Sequence, residues 1–306
     1  MVIPLGIFMF FASCKESTKG KSAGEEPVNV SINLNEIKED KIRVAMNPGR
    51  FEQDTVKFYL PKIVQGTYEI SDFGKYIDSF KAIDYNGKEL ITRRPDENTW
   101  LISGADQLDK VTYFVNDTYD IEDSETDTPG FPSGTNIEPG FFLLNLHGFI
   151  GYFDHLTEIP YHLEVTASSD LQSTTPLKKT GSVVNSDKGI VTDTYMAARY
   201  FEIIDNPVIY GLLDTEEFTV NDIKIVLSVY SPGKIHKAAS LKETVRKMIS
   251  AQKSYLGSLR TVNRYDIYLC LLNKKNQFTA QIWRTRTSYF YISGFSRKYH
   301  TGRVGH

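Results

Sequence analysis

The chain has 306 residues, of which 41% are hydrophobic and 12% are aromatic, and its formal net charge at pH 7 is −3. This composition excludes disorder over most of the length, and a charge so close to zero gives no general reason to expect a nucleic-acid partner. Two cysteines are too few for a disulfide scaffold or for a zinc site made only of cysteines. The length predicts about two domains.

The amino-terminal segment resembles a bacterial lipoprotein signal. Residues 2–12 form an apolar run with the length of a signal-peptide core, too short to cross a membrane. The run ends in Phe11-Ala12-Ser13-Cys14, which resembles a cleavage box whose cysteine takes the lipid. No Lys or Arg precedes Cys14, although a signal normally begins with one, and the alternative is a buried strand with an incidental cysteine. We therefore expect lipidation of Cys14 and attachment to a bacterial envelope membrane, facing the periplasm or the exterior.

Alternating apolar and polar residues predict strands in the part that follows. Strands are predicted at 28–34, 42–44, 56–58, 99–102, 111–115, 161–166 and 218–230. Asn86-Gly87 separates residues 80–85 from 88–90 and predicts a hairpin with a type I′ turn. Short strands with turn signals between them predict a β-sandwich.

Residues 116–140 are predicted to form a long loop rich in acidic residues, glycine and proline. Its acidic residues are Asp120, Glu122, Asp123, Glu125 and Asp127. Oxygen ligands at alternate positions can bind calcium, but the order of these acids does not fit an EF-hand loop. We interpret the segment as a solvated acidic loop.

One long helix is predicted late in the chain. Ser240-Leu241-Lys242-Glu243 has the pattern of a capping box. Helical spacing then predicts an amphipathic helix that ends near Gly257. Its apolar stripe is interrupted by Gln252 and consists of Leu241, Val245, Met248, Ile249, Tyr255, Leu256 and Leu259. The apolar run 266–272 predicts a buried strand, and with it the beginning of an α/β unit. Cys270 lies in this run, so we expect a buried, inert thiol.

Signatures of catalysis are absent from the sequence. The six histidines are His147, His155, His162, His236, His300 and His306, and no two are four residues apart, as His-Glu-x-x-His requires. His147, His155 and His162 could converge on zinc, but their spacings favour ordinary strand and loop positions. Gly20-Lys21-Ser22-Ala23-Gly24 has the letters of a hydrolase elbow but lies in the predicted tether, outside the strand-to-helix turn that this motif needs.

Ordered blocks between residues 28 and 272 resemble one known family. The segment Pro61–Phe73 contains Gly66-Thr67-Tyr68 and ends in Phe73, as in that family. Further matching blocks are Ile77–Ala82, Asn86–Lys88, Asn98-Thr99-Trp100, Val111-Thr112-Tyr113, Asp205-Asn206-Pro207-Val208, Ser240–Leu259 and Arg264–Ile267. In these blocks the chain resembles the glycyl aminopeptidases, metallopeptidase family sixty-one.

The resemblance implies a β-sandwich domain, then a thermolysin-like catalytic domain and often a PDZ domain. Such enzymes hold zinc with His-Glu-x-x-His and a downstream glutamate, and they remove N-terminal Gly or Ala from peptides. Neither that motif nor the Gly-x-Glu-His strand expected after Leu272 occurs in this sequence, so no catalytic and no metal-binding residue is carried over. We expect no cofactor in this chain, with zinc implied for the full-length family. The expected partners are peptides and, through the lipid, a membrane, but not nucleic acid.

Residues 273–306 differ from the rest of the chain. They contain no acidic residue, and their basic residues are Lys274, Lys275, Arg284, Arg286, Arg297, Lys298 and Arg303. One interpretation is a basic tail for nucleic acid or anionic lipid. We favour a slip of the reading frame near residue 273, which predicts a disordered or poorly packed tail.

The predicted fold class is mainly β. The segments are a lipoprotein signal at 1–14, a tether at 15–27, a β-sandwich at 28–210, a truncated thermolysin-like α/β start at 211–272 and the aberrant tail at 273–306. The favoured function is the non-catalytic amino-terminal portion of a zinc-dependent aminopeptidase, inactive as written. The alternative is a lipid-anchored β-sandwich module that binds peptide or glycan. Its recognition face would use Tyr68, Phe73, Tyr76 and Trp100, for which core packing is the more common role.

Overall fold

The computed structural model describes residues 22–64, 70–118, 134–257, 263–274 and 277–284, with only the backbone described from residue 272 onward. Cys14, most of the predicted tether and the five acidic residues of the predicted loop lie outside the described residues. Within these residues the fold is mainly β, as predicted.

Four sheets make up the described structure. In spatial order, the strands of the first sheet are β13 (Lys178–Asn185), β14 (Ile190–Ala197), β11 (Tyr161–Ser168), β1 (Val28–Lys38), β2 (Lys41–Asn47), β7 (Leu108–Asn116) and β4 (Ile77–Asp84). Those of the second are β10 (Tyr152–Phe153), β3 (Thr55–Tyr59), β6 (Thr99–Ser103) and β5 (Thr92–Asp96). Those of the third are β12 (Gln172–Thr174), β15 (Val208–Gly211), β9 (Phe141–Leu144) and β8 (Asn136–Glu138). Those of the fourth are β16 (Asp214–Val220), β17 (Ile223–Tyr230), β18 (Arg264–Lys274) and β19 (Gln277–Arg284).

Helices are few and short apart from one. The α-helices are α1 (Leu146–Phe149), α2 (Tyr200–Ile204) and α3 (Ala238–Leu256), and 3-10 turns occur at Phe73–Tyr76, Ala105–Gln107 and Pro232–Lys234. No helix in the described part of the chain is both long enough and apolar enough to span a membrane.

Alternation along β1 shows why the predicted strands form. Val28, Val30, Ile32 and Leu34 are all buried, whereas the residues between them are mostly exposed or half-buried. Strand β1 pairs in parallel with β11 and antiparallel with β2, so its apolar side lies at the centre of the first sheet. One large hydrophobic core joins side chains of the first, second and third sheets.

One turn prediction needs correction. Asn86-Gly87 does not form a type I′ turn, because only Gly87 has a positive φ, of 80°, and that turn needs two such residues. The Asp84 carboxylate instead accepts hydrogen bonds from the amides of Asn86 and Lys88. The two-residue turn with both φ angles positive is Glu39-Asp40, at 52° and 55°, between β1 and β2.

The single strand predicted at 218–230 is two strands. β16 and β17 are antiparallel and paired from Asp214↔Val229 to Val220↔Ile223. Asn221 begins the turn with a φ of 54°, a conformation that asparagine tolerates better than most residues. The turn was not predicted because the residues from 218 to 230 were interpreted as one continuous strand pattern.

The start of α3 also differs from its prediction. The helix begins at Ala238, two residues before the predicted cap, and no residue of its own caps its first turn with a side chain. The cap is instead supplied by Asp214 on β16, whose Oδ1 accepts a hydrogen bond from the Ala238 amide at 2.8 Å. Ser240 Oγ donates to the Lys237 carbonyl instead, so the capping-box prediction is wrong. Tyr255, placed on the buried stripe by its spacing, is 91% exposed.

A buried carboxylate connects the first and third sheets. Asp193 on β14 is 2% exposed. Its Oδ1 lies 2.7 Å from Lys179 Nζ and accepts a hydrogen bond from Ser182 Oγ at 2.6 Å. Its Oδ2 accepts from Tyr210 on β15 at 2.8 Å and from Ser173 on β12 at 2.9 Å. Burial by itself raises the pKa of Asp193, but Lys179 and these hydroxyls outweigh burial and lower it.

Replacement of Asp214 by alanine tests the external cap. Asp214→Ala removes the acceptor for the Ala238 amide and should lower the free energy of unfolding by about 1 kcal/mol. Ser240→Ala is the matched control and should change it little, because Ser240 does not cap the helix. Urea unfolding of both variants measures these changes in the free energy of unfolding. A larger loss for Ser240→Ala would restore the capping-box interpretation.

Acid should reveal the contribution of Asp193. Because its folded pKa is lowered, its stabilisation is fully present above the unfolded pKa and is lost as pH falls through the folded pKa, below about 4. Asp193→Asn should cost about 1–3 kcal/mol at neutral pH and make the acid loss shallower. Urea unfolding across this pH range measures both effects. The exposed Asp187→Asn variant should behave like the parent, and an unchanged acid profile in Asp193→Asn would contradict the assignment.

Candidate functional site at the junction of the third and fourth sheets

Two of the blocks that carry the family resemblance meet in space. Asn98 Nδ2 donates to Asp72 Oδ1 at 2.8 Å, and Asn98 Oδ1 accepts from the Gly74 amide at 3.0 Å. The Phe73 amide donates to the Pro61 carbonyl, which closes the segment at its base. A side chain at position 74 would place its Cβ only 1.9 Å from the Glu97 carbonyl oxygen, so the contact needs glycine. Asn98 therefore holds this segment against β6.

The aromatic recognition face of the alternative hypothesis is wrong for two of its four residues. Phe73 and Trp100 are only 2% and 4% exposed, and both belong to the large core. Tyr76 packs partly buried against the same core, and Tyr68 lies outside the described residues. Packing explains this outcome, since β6 turns Trp100 towards Phe58 and Phe80.

The three clustered histidines do not form a metal centre. His147 on α1 is buried and packs on the Phe73 ring at 4.8 Å. His155 lies in a turn with a φ of 66°, and His162 on β11 places Nδ1 3.2 Å from Asn29 Oδ1. Throughout the described residues, no three His, Cys, Asp or Glu side chains lie close enough to share a metal ion. The zinc implied by the resemblance does not fit the residues described, and no reaction step is derived through it.

The junction between the third and fourth sheets is the part of the fold nearest to where the resemblance expects chemistry. On β9, Phe142 and Leu144 face the large core, while Phe141 and Leu143 face the fourth sheet. Tyr268 and Cys270 of β18 complete this second, smaller cluster together with Ile209. The rings of Phe141 and Tyr230 stack with centroids 3.8 Å apart. The third sheet is thus buried on both faces, which explains the continuous apolar sequence of β9.

Polar contacts fix the alignment of the two sheets. Ser228 Oγ on β17 donates to Thr174 Oγ1 on β12 at 3.3 Å. Arg264 at the start of β18 donates to the Thr175 carbonyl at 3.3 Å. Because each contact joins one sheet to the other, sliding of the fourth sheet would break them.

Arg264 also neutralises a fully buried carboxylate. Asp266 is 0% exposed, and Arg264 reaches both of its oxygens, at 2.7 and 2.8 Å. Burial raises the pKa of Asp266, and Arg264 partly offsets that rise. Residues two apart on a strand share a face, so this pair could have been found from the sequence, although its burial could not.

The prediction of a buried, inert thiol at Cys270 is confirmed. Cys270 is buried and free of any disulfide, and burial raises its pKa to about 12. A thiol with this pKa stays protonated at neutral pH and is neither a nucleophile nor a metal ligand. The described side chains of the junction therefore supply packing and a paired carboxylate, with no free base or activated nucleophile among them.

The strand beside β18 is where the resemblance expects Gly-x-Glu-His. That position is taken by β19, antiparallel to β18 from Ile267↔Arg284 to Lys274↔Gln277. The sequence of β19 is Gln-Phe-Thr-Ala-Gln-Ile-Trp-Arg, which contains neither glutamate nor histidine. Its regular backbone pairing contradicts disorder for residues 277–284, whereas the expectation of poor packing concerns side chains that lie outside the described structure.

The fourth sheet and α3 form the α/β unit that the sequence predicts. Strands β17 and β18 are parallel, and α3 connects them. Val245 and Ile249 of the helix pack on Ile225, Leu227 and Ile267. One face of the fourth sheet is therefore covered by the helix and the other by the third sheet.

Comparison with known proteins gives a family match and likenesses of fold. The family model "Peptidase M61 N-terminal domain" matches residues 29–212. No curated protein matches the chain. The crystal structure of an aminopeptidase N family protein from Idiomarina loihiensis is similar, with a TM-score of 0.64 at 19% identity, covering 78% of this chain and 38% of that one. The chain thus spans less than half of that protein, and the likeness concerns the fold alone.

Weaker likenesses extend to other aminopeptidases. The M1 zinc metallopeptidase from Deinococcus radiodurans has a TM-score of 0.45 at 11% identity, covering 81% of this chain and 57% of that one. Legionella pneumophila aminopeptidase A in complex with aspartic acid has a TM-score of 0.45 at 12% identity, covering 82% and 30%. Neither likeness is strong enough to carry an argument. The family match alone covers more than half of the chain, and the chain therefore belongs to the peptidase M61 family and contains its N-terminal domain.

Proposed function

We propose that this chain is the non-catalytic amino-terminal portion of a zinc-dependent aminopeptidase for peptides with N-terminal glycine or alanine. The observation that carries the proposal is the family match over residues 29–212, in a chain whose six histidines include no pair four residues apart. The family leads us to expect peptide hydrolysis, but the histidine spacing does not allow the His-Glu-x-x-His motif that would bind the zinc. In this proposal the chain contributes the fold beside the site and not the reacting groups.

The chemistry explains why the missing ligands matter. Zinc lowers the pKa of its bound water and polarises the peptide carbonyl, and both effects require the protein to hold the ion firmly. Two histidines one helical turn apart are the usual means in this class of enzyme. Of the described side chains that could assist, Cys270 is held as a thiol by burial and Asp266 is paired with Arg264. The junction residues therefore support a scaffold role.

An assay of peptide hydrolysis tests the proposal. The purified chain, supplied with zinc and a chromogenic glycine anilide, should release product no faster than buffer does. An active zinc aminopeptidase in the same buffer shows that the assay works. A His147→Ala/His162→Ala double variant should give the same result as the parent. Release that stops with a chelator and returns with zinc would overturn the proposal.

We further propose that Cys14 carries a lipid that attaches the chain to a bacterial envelope membrane. Support comes from the apolar run before Phe11-Ala12-Ser13-Cys14 and from the polar residues that follow it. The other cysteine, Cys270, is buried and unavailable for modification. The two cysteines therefore provide a matched pair for an experiment.

Metabolic labelling tests the lipid. In a bacterial host that makes lipoproteins, the parent chain and Cys270→Ser should incorporate a fatty-acid label and sediment with membranes. Cys14→Ser should lose both properties, because the only acceptor thiol of the signal is gone. Label retained in Cys14→Ser, or absent from the parent, would contradict the assignment.

A further inference from the structure

The first sheet ends in an edge strand with exposed apolar side chains. β13 is paired only with β14 in the described structure, so the backbone groups on its other side are open. Val183 and Val184 of this strand are 70% and 60% exposed. Adjacent residues of a strand point to opposite faces, so both faces of the edge present a valine. Edges of this kind are templates for pairing with another strand.

Two other edges of the same fold, β4 and β5, are protected. The outer side of β4 is occupied by backbone hydrogen bonds from Leu90 to Ala82 and from Asp84 to Lys88. The edge strand β5 contains Pro95, which has no amide hydrogen to donate. These features are common defences against edge-to-edge association.

Only the first half of β13 has such a defence. Lys178 and Lys179 begin the strand, and the register shifts between Lys179 and Gly181, which marks a bulge. The second half, Ser182–Asn185, has no charge, no proline and no bulge. Pairing is therefore opposed at one end of the strand and unopposed at the other.

This polarity makes β13 complementary to an antiparallel copy of itself. Pairing centred on Val183 would align the two uncharged halves and place Gly181 opposite Asn185. The lysine end of each strand would then lie beside the turn 186–189 of the other copy, which contains Asp187. That turn also contains Lys188, which this register places opposite Lys178, and Lys179 is already paired with Asp193. The charges at each end therefore give no net attraction, and the pairing depends on the uncharged halves of the strands.

We propose that β13 is a self-association surface through which two copies of this chain form a twofold dimer, with a continuous sheet across antiparallel β13 strands. A twofold interface uses the same patch on both copies, as a self-complementary strand requires. The main-chain hydrogen bonds provide the affinity, and the central valines are buried against the second copy.

Added charge at the strand centre tests the surface. Sedimentation velocity over a range of concentrations should show a reversible dimer for the full chain. Val183→Glu/Val184→Glu places like charges opposite each other and should raise the dissociation constant at least about tenfold. Ile91→Glu/Ile235→Glu adds the same charge at exposed apolar positions elsewhere and should leave it unchanged, with circular dichroism confirming that all variants fold.

A cysteine at the centre tests the register. In a Cys14→Ser background, Val183→Cys should form an intermolecular disulfide under mild oxidation, because the twofold axis brings the two thiols opposite each other. Ile235→Cys, equally accessible, should not do so at the same concentration. A chain that stays monomeric at every concentration, a dimer that tolerates the two glutamates, or equal cross-linking of both cysteine variants would each overturn the proposal.

Discussion

The fold depends on the third sheet, which is held between two partners by different kinds of contact. On one side the Asp193 carboxylate of the first sheet accepts hydrogen bonds from Ser173 and Tyr210, which lie on strands of the third sheet. On the other side Phe141 stacks on Tyr230 of the fourth sheet. A buried carboxylate is costly unless its oxygens are satisfied, so Asp193 fixes the relative positions of strands that belong to two different sheets. The fourth sheet is therefore attached to the first through this middle layer.

Polar contacts at both faces of the third sheet mainly determine how the neighbouring sheets are aligned with it. Apolar burial is not directional, and Phe141, Leu143 and Ile209 could pack against a sheet shifted by one residue. The contact of Ser228 with Thr174, and that of Arg264 with the Thr175 carbonyl, are satisfied in one alignment only. The position of β18, and with it the place of the strand that follows, is thus determined by residues of the amino-terminal domain. In the function that we propose, this is how the chain sets the geometry of a neighbouring site.

The family membership and the chemistry of the chain lead to different conclusions. Membership in the peptidase M61 family rests on residues 29–212 and concerns the N-terminal domain of that family. The described residues around the junction contain a protonated thiol, a carboxylate paired with an arginine, and hydroxyl groups engaged in contacts between the sheets. None of these groups activates water. The described residues therefore fit the scaffold role that we propose.

Sequence alone determined the strands whose two faces differ, because a period of two is local information. β1, β2, β7 and β11 were predicted for this reason, whereas the buried strand with Cys270 was predicted from its continuous apolar run and α3 from its helical spacing. β9 was not predicted, since its apolar run of four residues shows no alternation and is too short to be distinguished from a buried helix segment.

Tertiary structure decided what depends on distant residues. The cap of α3 comes from Asp214 in place of the adjacent Ser240, and the burial of Phe73 and Trp100 depends on how the second sheet packs. The Asp193 network joins strands of two different sheets, and no local pattern shows that these strands meet. A local pattern records which side of a strand is apolar, but only the folded chain determines what lies against that side.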